Sequence, residues 1–202
     1  MIGSTSHYFS PAFPVASSGR VVQLRDRGRA FQFRTAAGVF ARRGVDRGSR
    51  LLLETVDRPG AQSVLDLGCG YGVLGIVMAA RAPQARAVLV DVNPRAVALA
   101  KENVTLNRVG NADVRCGDGC AAVAGETFDL VLFNPPIRAG RDVVLRLLRE
   151  AHGCLAPHGR LYLVARTQQG ARTLGRLAGT IFASAVEVGR GGGFRVFEAR
   201  RV

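Results

Sequence analysis

The sequence predicts an α/β fold: a mostly parallel seven-stranded sheet with an antiparallel last strand, covered by helices and preceded by a small β-hairpin. Three observations predict it. Between residues 63 and 178 short apolar runs alternate with helix-like stretches, the pattern of parallel strands joined by crossover helices. The last two strand-like runs, 181–188 and 194–202, are linked by Gly189-Arg190-Gly191-Gly192-Gly193. That link is too short for a crossover helix, so the two runs pair antiparallel. Near the start, two alternating runs flank Asp26-Arg27-Gly28-Arg29, which reads as a hairpin.

Taken in order, residues 1–19 are rich in Ser, Pro and Gly and should be irregular. Residues 21–25 and 30–34 are the hairpin strands. A loop over 37–44 leads to a helix from about 46 to 56. Asp57-Arg58-Pro59-Gly60 marks a boundary between an N-terminal extension, 1–57, and the main domain, 58–202. The sheet then starts with a strand at 63–67, followed by a helix over 73–81 and a strand at 87–91. Asn93-Pro94 supplies a helix cap and a proline at the first helical position, opening a helix to about 107. Strands follow at 113–116 and 128–133, then a helix over 142–155, a strand at 160–165 and a helix over 168–178.

A length of 202 residues suits one domain, or one domain with a small appendage. With 48% hydrophobic and 21% charged residues the composition is that of a globular protein. No apolar run reaches the roughly 18 residues of a membrane span. The first residues, Met1 to Tyr8, have neither a basic start nor an apolar stretch, so no signal peptide is expected and a cytoplasmic protein is. Cys69, Cys116, Cys120 and Cys154 form no C-x-x-C pair, and His7, His152 and His158 are scattered. Core or loop thiols are expected, and no metal. The net charge of +13 favours a phosphate-bearing partner such as RNA. All the basic residues but Lys101 are arginines spread along the chain, so a solvated basic surface is the competing reading. Monomer and homodimer are both left open.

The strand at 63–67 runs into Asp66-Leu67-Gly68-Cys69-Gly70-Tyr71-Gly72. Its glycines permit a sharp turn and close approach to a ligand. Gly70, Gly72 and Gly75 satisfy the dinucleotide spacing formally, but the register is displaced: Gly68 follows the strand, and its partner position holds Val73. An acid at the loop's start suits a cation, such as an ammonium group, better than a pyrophosphate. Asp91 closes the next strand, where a carboxylate can accept both hydroxyls of a ribose; a helix-capping role is the rival. Asp118, in Cys116-Gly117-Asp118-Gly119, can take the amino group of an adenine or serve as a turn residue. Together these residues fit a ligand with ammonium, ribose and adenine on one sheet edge.

The strand at 128–133 ends in Asn134-Pro135-Pro136-Ile137. Two prolines cannot continue a strand, since neither donates to the ladder. The chain must turn abruptly at the sheet's carboxyl edge, where open α/β sheets bind ligands. The Asn134 amide oxygen and a backbone carbonyl converging there would accept both hydrogens of a planar –NH2 and aim its lone pair at an electrophile. A tight connection without chemistry is the plainer alternative.

The segments Asp66–Gly72, Asp91 and Asn134–Ile137 resemble those of class I S-adenosylmethionine-dependent methyltransferases, whose Rossmann-like fold has the same closing antiparallel pair. More narrowly, Gly38-Val39-Phe40-Ala41, Gly44–Leu53 and Asn134-Pro135-Pro136-Ile137-Arg138-Ala139-Gly140 resemble the ribosomal RNA small subunit methyltransferase C family, which modifies guanine N2. The resemblance runs from about His7-Tyr8-Phe9 onward. It implies S-adenosyl-L-methionine as cofactor, held by Asp66, Gly68, Cys69, Gly70, Gly72, Asp91, Asp118 and Asn134. It implies an RNA substrate, with Asn134, Pro135, Pro136 and Ile137 at the reacting amine. Asn134 Oδ1 and the Pro135 carbonyl would hold the amine hydrogens. Phe40 is the candidate for stacking on the flipped base, against the alternative that it packs under the hairpin, and Arg42 is a candidate phosphate ligand with Arg43, Arg47 and Arg50. Two departures stand out. Long family members carry a degenerate second methyltransferase-like half, where this sequence has a hairpin. Many relatives have an aromatic residue where Ile137 stands. Rival readings are a protein glutamine methyltransferase, which grips a similar amide and usually has tyrosine at that position, another RNA such as transfer RNA, a nicotinamide oxidoreductase, and a non-catalytic RNA-binding module.

Overall fold

The computed structural model describes residues 19–39, 44–57 and 60–201. In chain order its elements are β1 (Arg20–Asp26), β2 (Arg29–Thr35), α1 (Arg47–Thr55), β3 (Ser63–Leu67), α2 (Val73–Arg81), β4 (Arg86–Asp91), α3 (Pro94–Leu106), β5 (Ala112–Cys116), β6 (Phe128–Phe133), α4 (Arg141–Cys154), β7 (Leu155–Arg166), α5 (Ala171–Ile181), β8 (Ser184–Gly191) and β9 (Phe194–Arg200). The seven-stranded sheet has the order β5-β4-β3-β6-β7-β9-β8. β3 to β7 run parallel to one another, and β9 lies antiparallel between β7 and β8. The strand order reverses between β3 and β6, so a crevice opens at their carboxyl ends. The central strands are buried on both faces, which is why Val64, Leu65, Leu130, Val131 and Leu132 read as continuous apolar runs.

The hairpin buries one face. Alternation puts Val22, Leu24, Phe31 and Phe33 inward, while Gln23 and Gln32 face out. A two-stranded ribbon is marginal by itself. Here α3 holds its edge with side-chain amides. Asn103 accepts from Arg34 N at 2.7 Å and donates to Arg34 O at 2.9 Å. One turn later Asn107 accepts from Gln32 N at 3.0 Å and donates to Gln32 O at 2.7 Å. The pair acts as a substitute strand, because residues four apart share a helix face and the pairing groups of an edge strand recur every second residue. Asn103 also donates to Tyr71 O at 2.9 Å, tying the hairpin to the glycine loop. At the other end Arg81 donates to both carboxylate oxygens of Asp26 and to the carbonyls of Leu53 and Val56, so the end of α2 holds the hairpin turn and the end of α1. Hairpin residues Phe31 and Phe33 and α1 residues Leu52 and Leu53 belong to one buried cluster with Val64, Ile76 and Leu89.

Three elements differ from expectation. β7 starts at Leu155 rather than 160: Leu155 pairs with Phe128 and Arg160 with Leu130, and the backbone between them bulges around Pro157 and His158, the latter at φ 61°. Proline reads as a strand breaker, but a bulge accommodates it. The last helix, expected over 168–178, instead spans Ala171–Ile181, because Gly170 sits left-handed at φ 83° after a turn of 3-10 helix and cannot lie inside an α-helix. Ala171, Leu174, Gly175 and Ala178 form its buried face. β8 therefore begins at Ser184, not 181. Residues 1–18, expected to be irregular, and Phe40, Ala41, Arg42, Arg43 and the Arg58-Pro59 boundary lie outside the described residues. No described helix is long and apolar enough to cross a membrane.

Candidate active site

The carboxyl ends of the strands enclose a cleft of about 570 Å³. β3 contributes Asp66 and the loop after it Gly68, Cys69 and Gly70; β4 contributes Asp91 and the β5 loop Asp118; the β6 elbow contributes Asn134, Pro135, Pro136 and Ile137. The expected residues are thus assembled in one place, with three exceptions. Gly72 lies behind the cleft, where an added Cβ would strike Ile76 at 2.8 Å. Phe40 and Arg42 lie outside the described residues.

Hydrogen bonding within the glycine loop decides what it can hold. Gly68 N and Cys69 N both donate to Val90 O, at 2.8 and 2.9 Å, and Gly70 N donates to Asp91 Oδ2 at 2.7 Å. At the start of α2, Gly75 N donates to Asp66 Oδ2 at 2.7 Å. A phosphate site needs those amides free; here internal carboxylates and carbonyls take them. On its open side the loop faces no described residue, since a Cβ at Gly68 or Gly70 would meet none of them within 4 Å, and both glycines have positive φ. Asp91 is also held by Asn93 N, to Oδ1 at 2.9 Å, so its carboxylate is fixed in orientation with lone pairs left over. Beside it Val92 is 64% exposed, an apolar side group standing in the cleft.

Asp66 is 1% exposed. Burial pushes its pKa up to about 7, against the Gly75 hydrogen bond, which lowers it, and with further help from the Asp91 charge. Burial, with the same two carboxylates nearby, also pushes the Cys69 thiol well above its ordinary range. Cys69 is therefore no thiolate nucleophile. Asp118 is exposed and ion-paired to Arg146 at 2.8 Å through one carboxylate oxygen, and the other has no partner among the described residues.

The elbow after β6 is an inverse γ-turn. Pro136 has φ −75° and ψ 73°, and Ile137 N donates to Pro135 O at 2.8 Å. One lone pair of the Pro135 carbonyl is therefore used inside the turn and one remains. Asn134 Nδ2 donates to Asp46 Oδ2 at 3.0 Å and to Ser49 Oγ at 3.1 Å. The amide's nitrogen end is engaged, and Oδ1 has no partner among the described residues. Ile137 is half-buried against the core on the α4 side of the sheet.

Residues 30–198 match the Methyltransferase small domain. The protein belongs to that family. It is 33% identical to the uncharacterized protein YbxB of Bacillus subtilis over 98% of this sequence and 100% of that one. It is 36% identical to a ribosomal RNA small subunit methyltransferase C of Hamiltonella defensa, over 77% of this sequence and 46% of that relative. With a ribosomal RNA large subunit methyltransferase G of Stutzerimonas stutzeri it shares 41% identity over 66% of this sequence and 37% of that one. Among solved structures, the 16S rRNA guanine-N2 methyltransferase of T. thermophilus, in complex with AdoMet and guanosine, superposes with a TM-score of 0.82 at 26% identity, covering 94% of this protein and 52% of that one. The protein spans about half the length of the ribosomal RNA methyltransferases it matches, or less.

In this methyltransferase several cleft residues were missed by sequence reasoning. Asp46 and Ser49 read only as the start of α1, where Asp46 caps the helix by accepting from Ser49 N at 2.9 Å. Nothing local announces that the same carboxylate reaches Asn134. Phe194 and Arg166 line the wall beyond the elbow, with the Arg166 guanidinium 5.9 Å from the Phe194 ring centre. They come from β9 and β7, which pair only through the sheet, at Arg166 opposite Phe194.

Proposed function

We propose that this methyltransferase transfers the methyl group of S-adenosylmethionine to an exocyclic amino nitrogen of an RNA base, guanine N2 of ribosomal RNA in particular. The observation that carries the reading is the Asn134 amide, whose nitrogen is tied to Asp46 and Ser49 while its carbonyl oxygen lines the cleft with no partner among the described residues. A free amide carbonyl beside a rigid proline turn can take hydrogens of a planar amine, and the remaining lone pair of Pro135 O is the second acceptor.

The donor fits the other half of the cleft. The occupied loop amides and the carboxylates of Asp66, Asp91 and Asp118 suit a cationic, hydroxyl-bearing ligand and disfavour a pyrophosphate. Asp66 would face the ammonium group, Asp91 the ribose hydroxyls, Asp118 and the exposed Val92 the adenine. When bound, the donor supplies an electrophilic methyl carbon on a sulfonium. The protein's part is orientation. Asn134 and Pro135 hold the two amine hydrogens so that the nitrogen lone pair points across the cleft. No general base is required at the outset, because the nitrogen sheds a proton once it becomes cationic. Catalysis rests on positioning and preorganised dipoles.

RNA is supported by the named relatives and by the charge of the rim. Arg138 and Arg166, which line the cleft, and Arg141 and Arg172, at the starts of α4 and α5, are exposed and pair with no carboxylate among the described residues. Arginines placed there would meet RNA phosphates as a base is flipped into the cleft. A cytoplasmic location goes with this substrate.

Asn134→Ala should lower kcat by about 10²- to 10³-fold, as removal of one transition-state hydrogen-bonding group does. Affinity for S-adenosylhomocysteine, measured by calorimetry, should stay within a few-fold. The assay is labelled methyl transfer to undermodified ribosomal and transfer RNA with nucleoside analysis, run beside release factor as a glutamine substrate. Unchanged turnover of N134A would refute the role of Asn134, and incorporation only into release factor would refute the RNA reading.

A further inference from the structure

The hydrogen bonds around Asp46 define a function for a residue outside the glycine loop and the proline elbow. Asp46 Oδ2 accepts from three donors: Ser49 N at 2.9 Å, Ser49 Oγ at 3.2 Å and Asn134 Nδ2 at 3.0 Å. Ser49 Oγ in turn accepts from Asn134 Nδ2 at 3.1 Å, so its own proton goes to Asp46. A side-chain amide has two nearly isosteric orientations, and only its partners decide between them. A carboxylate has no hydrogen to give. Reversing the Asn134 amide would press Oδ1 against Asp46 Oδ2, two acceptors at hydrogen-bond distance. The amide is therefore held with nitrogen toward α1 and oxygen away from it. The lock is itself rigid, because Asp46 is the cap of α1 and Gly48 leaves room for it: a Cβ there would lie 3.0 Å from Asp46 Oδ2 and 2.9 Å from the Phe194 ring.

We propose that Asp46, braced by Ser49, is a positioning residue that fixes the orientation of the Asn134 amide so that its carbonyl, not its NH2, meets the substrate amine. This rests on the reading that Asn134 grips that amine. It makes the start of α1 part of the active site.

Helix capping and amide locking can be separated. Asp46→Ser keeps a good N-cap but shortens the side group, so it caps Ser49 N and no longer reaches Asn134. Asp46→Asn keeps an oxygen at the Oδ2 position, able to accept from both Ser49 N and Asn134. D46S should lower kcat roughly 10- to 100-fold with KM and S-adenosylhomocysteine affinity within a few-fold, the size of loss expected of a misoriented reacting group. D46N should recover most of the activity. Ser49→Ala, which cannot uncap the helix, should lower kcat several-fold. A readout independent of substrate is the Asn134 side-chain 15N–1H pair, assigned by its disappearance in N134A: it should be shifted by its hydrogen bond to the residue 46 side-chain oxygen in the parent protein and in D46N, and move to solvent-like values in D46S. Wild-type kcat in D46S or in S49A, a loss carried by KM, a D46N as inactive as D46S, or an amide signal indifferent to D46S would each overturn the proposal. If the parent protein methylates no RNA, the proposed function fails by itself, and the amide signal still tests the lock.

Discussion

Asp66→Asn should stabilise the ligand-free protein more at pH 8 than at pH 5. Asp66 is buried, and its pKa rises from 3.8 unfolded to about 7 folded. A raised carboxyl favours the folded state only while it is protonated. Its contribution is complete below pH 3.8 and is lost as pH rises through 7. The penalty of ionising it reaches about 4 kcal/mol at pH 8 and is about 2 kcal/mol at pH 5. Asparagine does not titrate and can still accept from Gly75 N. Whatever its amide costs in packing is the same at both pH values and cancels in the difference. The gap between D66N and the parent protein should therefore widen by about 2–3 kcal/mol from pH 5 to pH 8. For a protein of this size that is roughly 5–10 °C in Tm. The assay is thermal unfolding of both proteins in matched ionic strength at half-unit pH steps. A Tm difference that stays flat from pH 5 to 8 would show that Asp66 is ionised throughout, and the burial argument would be wrong.

The same titration bears on binding. An ammonium group beside Asp66 favours the ionised carboxylate, so affinity for S-adenosylhomocysteine should rise up to about tenfold per unit as pH approaches 7 from below, then level off; calorimetry in buffers of different ionisation heat should find proton release near pH 6.5, and pH-independent affinity would remove the ammonium from Asp66. Gly75→Ala places a Cβ 2.4 Å from Leu89 Cγ across two fully packed elements and should cost about 1–3 kcal/mol. In the double variant with Leu89→Ala the two losses should overlap by at least about 0.5 kcal/mol in denaturant unfolding; strict additivity would mean the two side groups do not compete for the space. Asn103→Ala strips partners from Arg34 N, Arg34 O and Tyr71 O at a fully buried position and should cost about 2–4 kcal/mol, with hydrogen exchange of the hairpin amides accelerating first. Exchange that speeds up equally across β3 and β6 would mean the hairpin does not depend on this ladder.

Much of the fold and half of the site were legible in the sequence. β3, α2 and β6 fall where their apolar patterns put them, because central parallel strands and their covering helices are written in local hydrophobicity. Asp66, the glycines, Asp91 and the Asn134-Pro135-Pro136 elbow were legible because backbone chemistry at strand ends needs particular residues at particular steps. The bulge around Pro157 and the start of α5 were not, since a left-handed glycine and an accommodated proline depend on what surrounds them. Nor could the sequence supply the Asn103–Asn107 ladder, the ion pair that holds Asp118, or the reach of Asp46 to Asn134 across 88 residues. Each of these joins groups far apart along the polymer, and such separation carries no signal of proximity until the sheet has closed. The sequence by itself determined the order of strands and helices, the polarity of the cleft and the class of group it can hold. Only the tertiary structure decided which lone pairs stay free there, because that depends on where every other donor has gone.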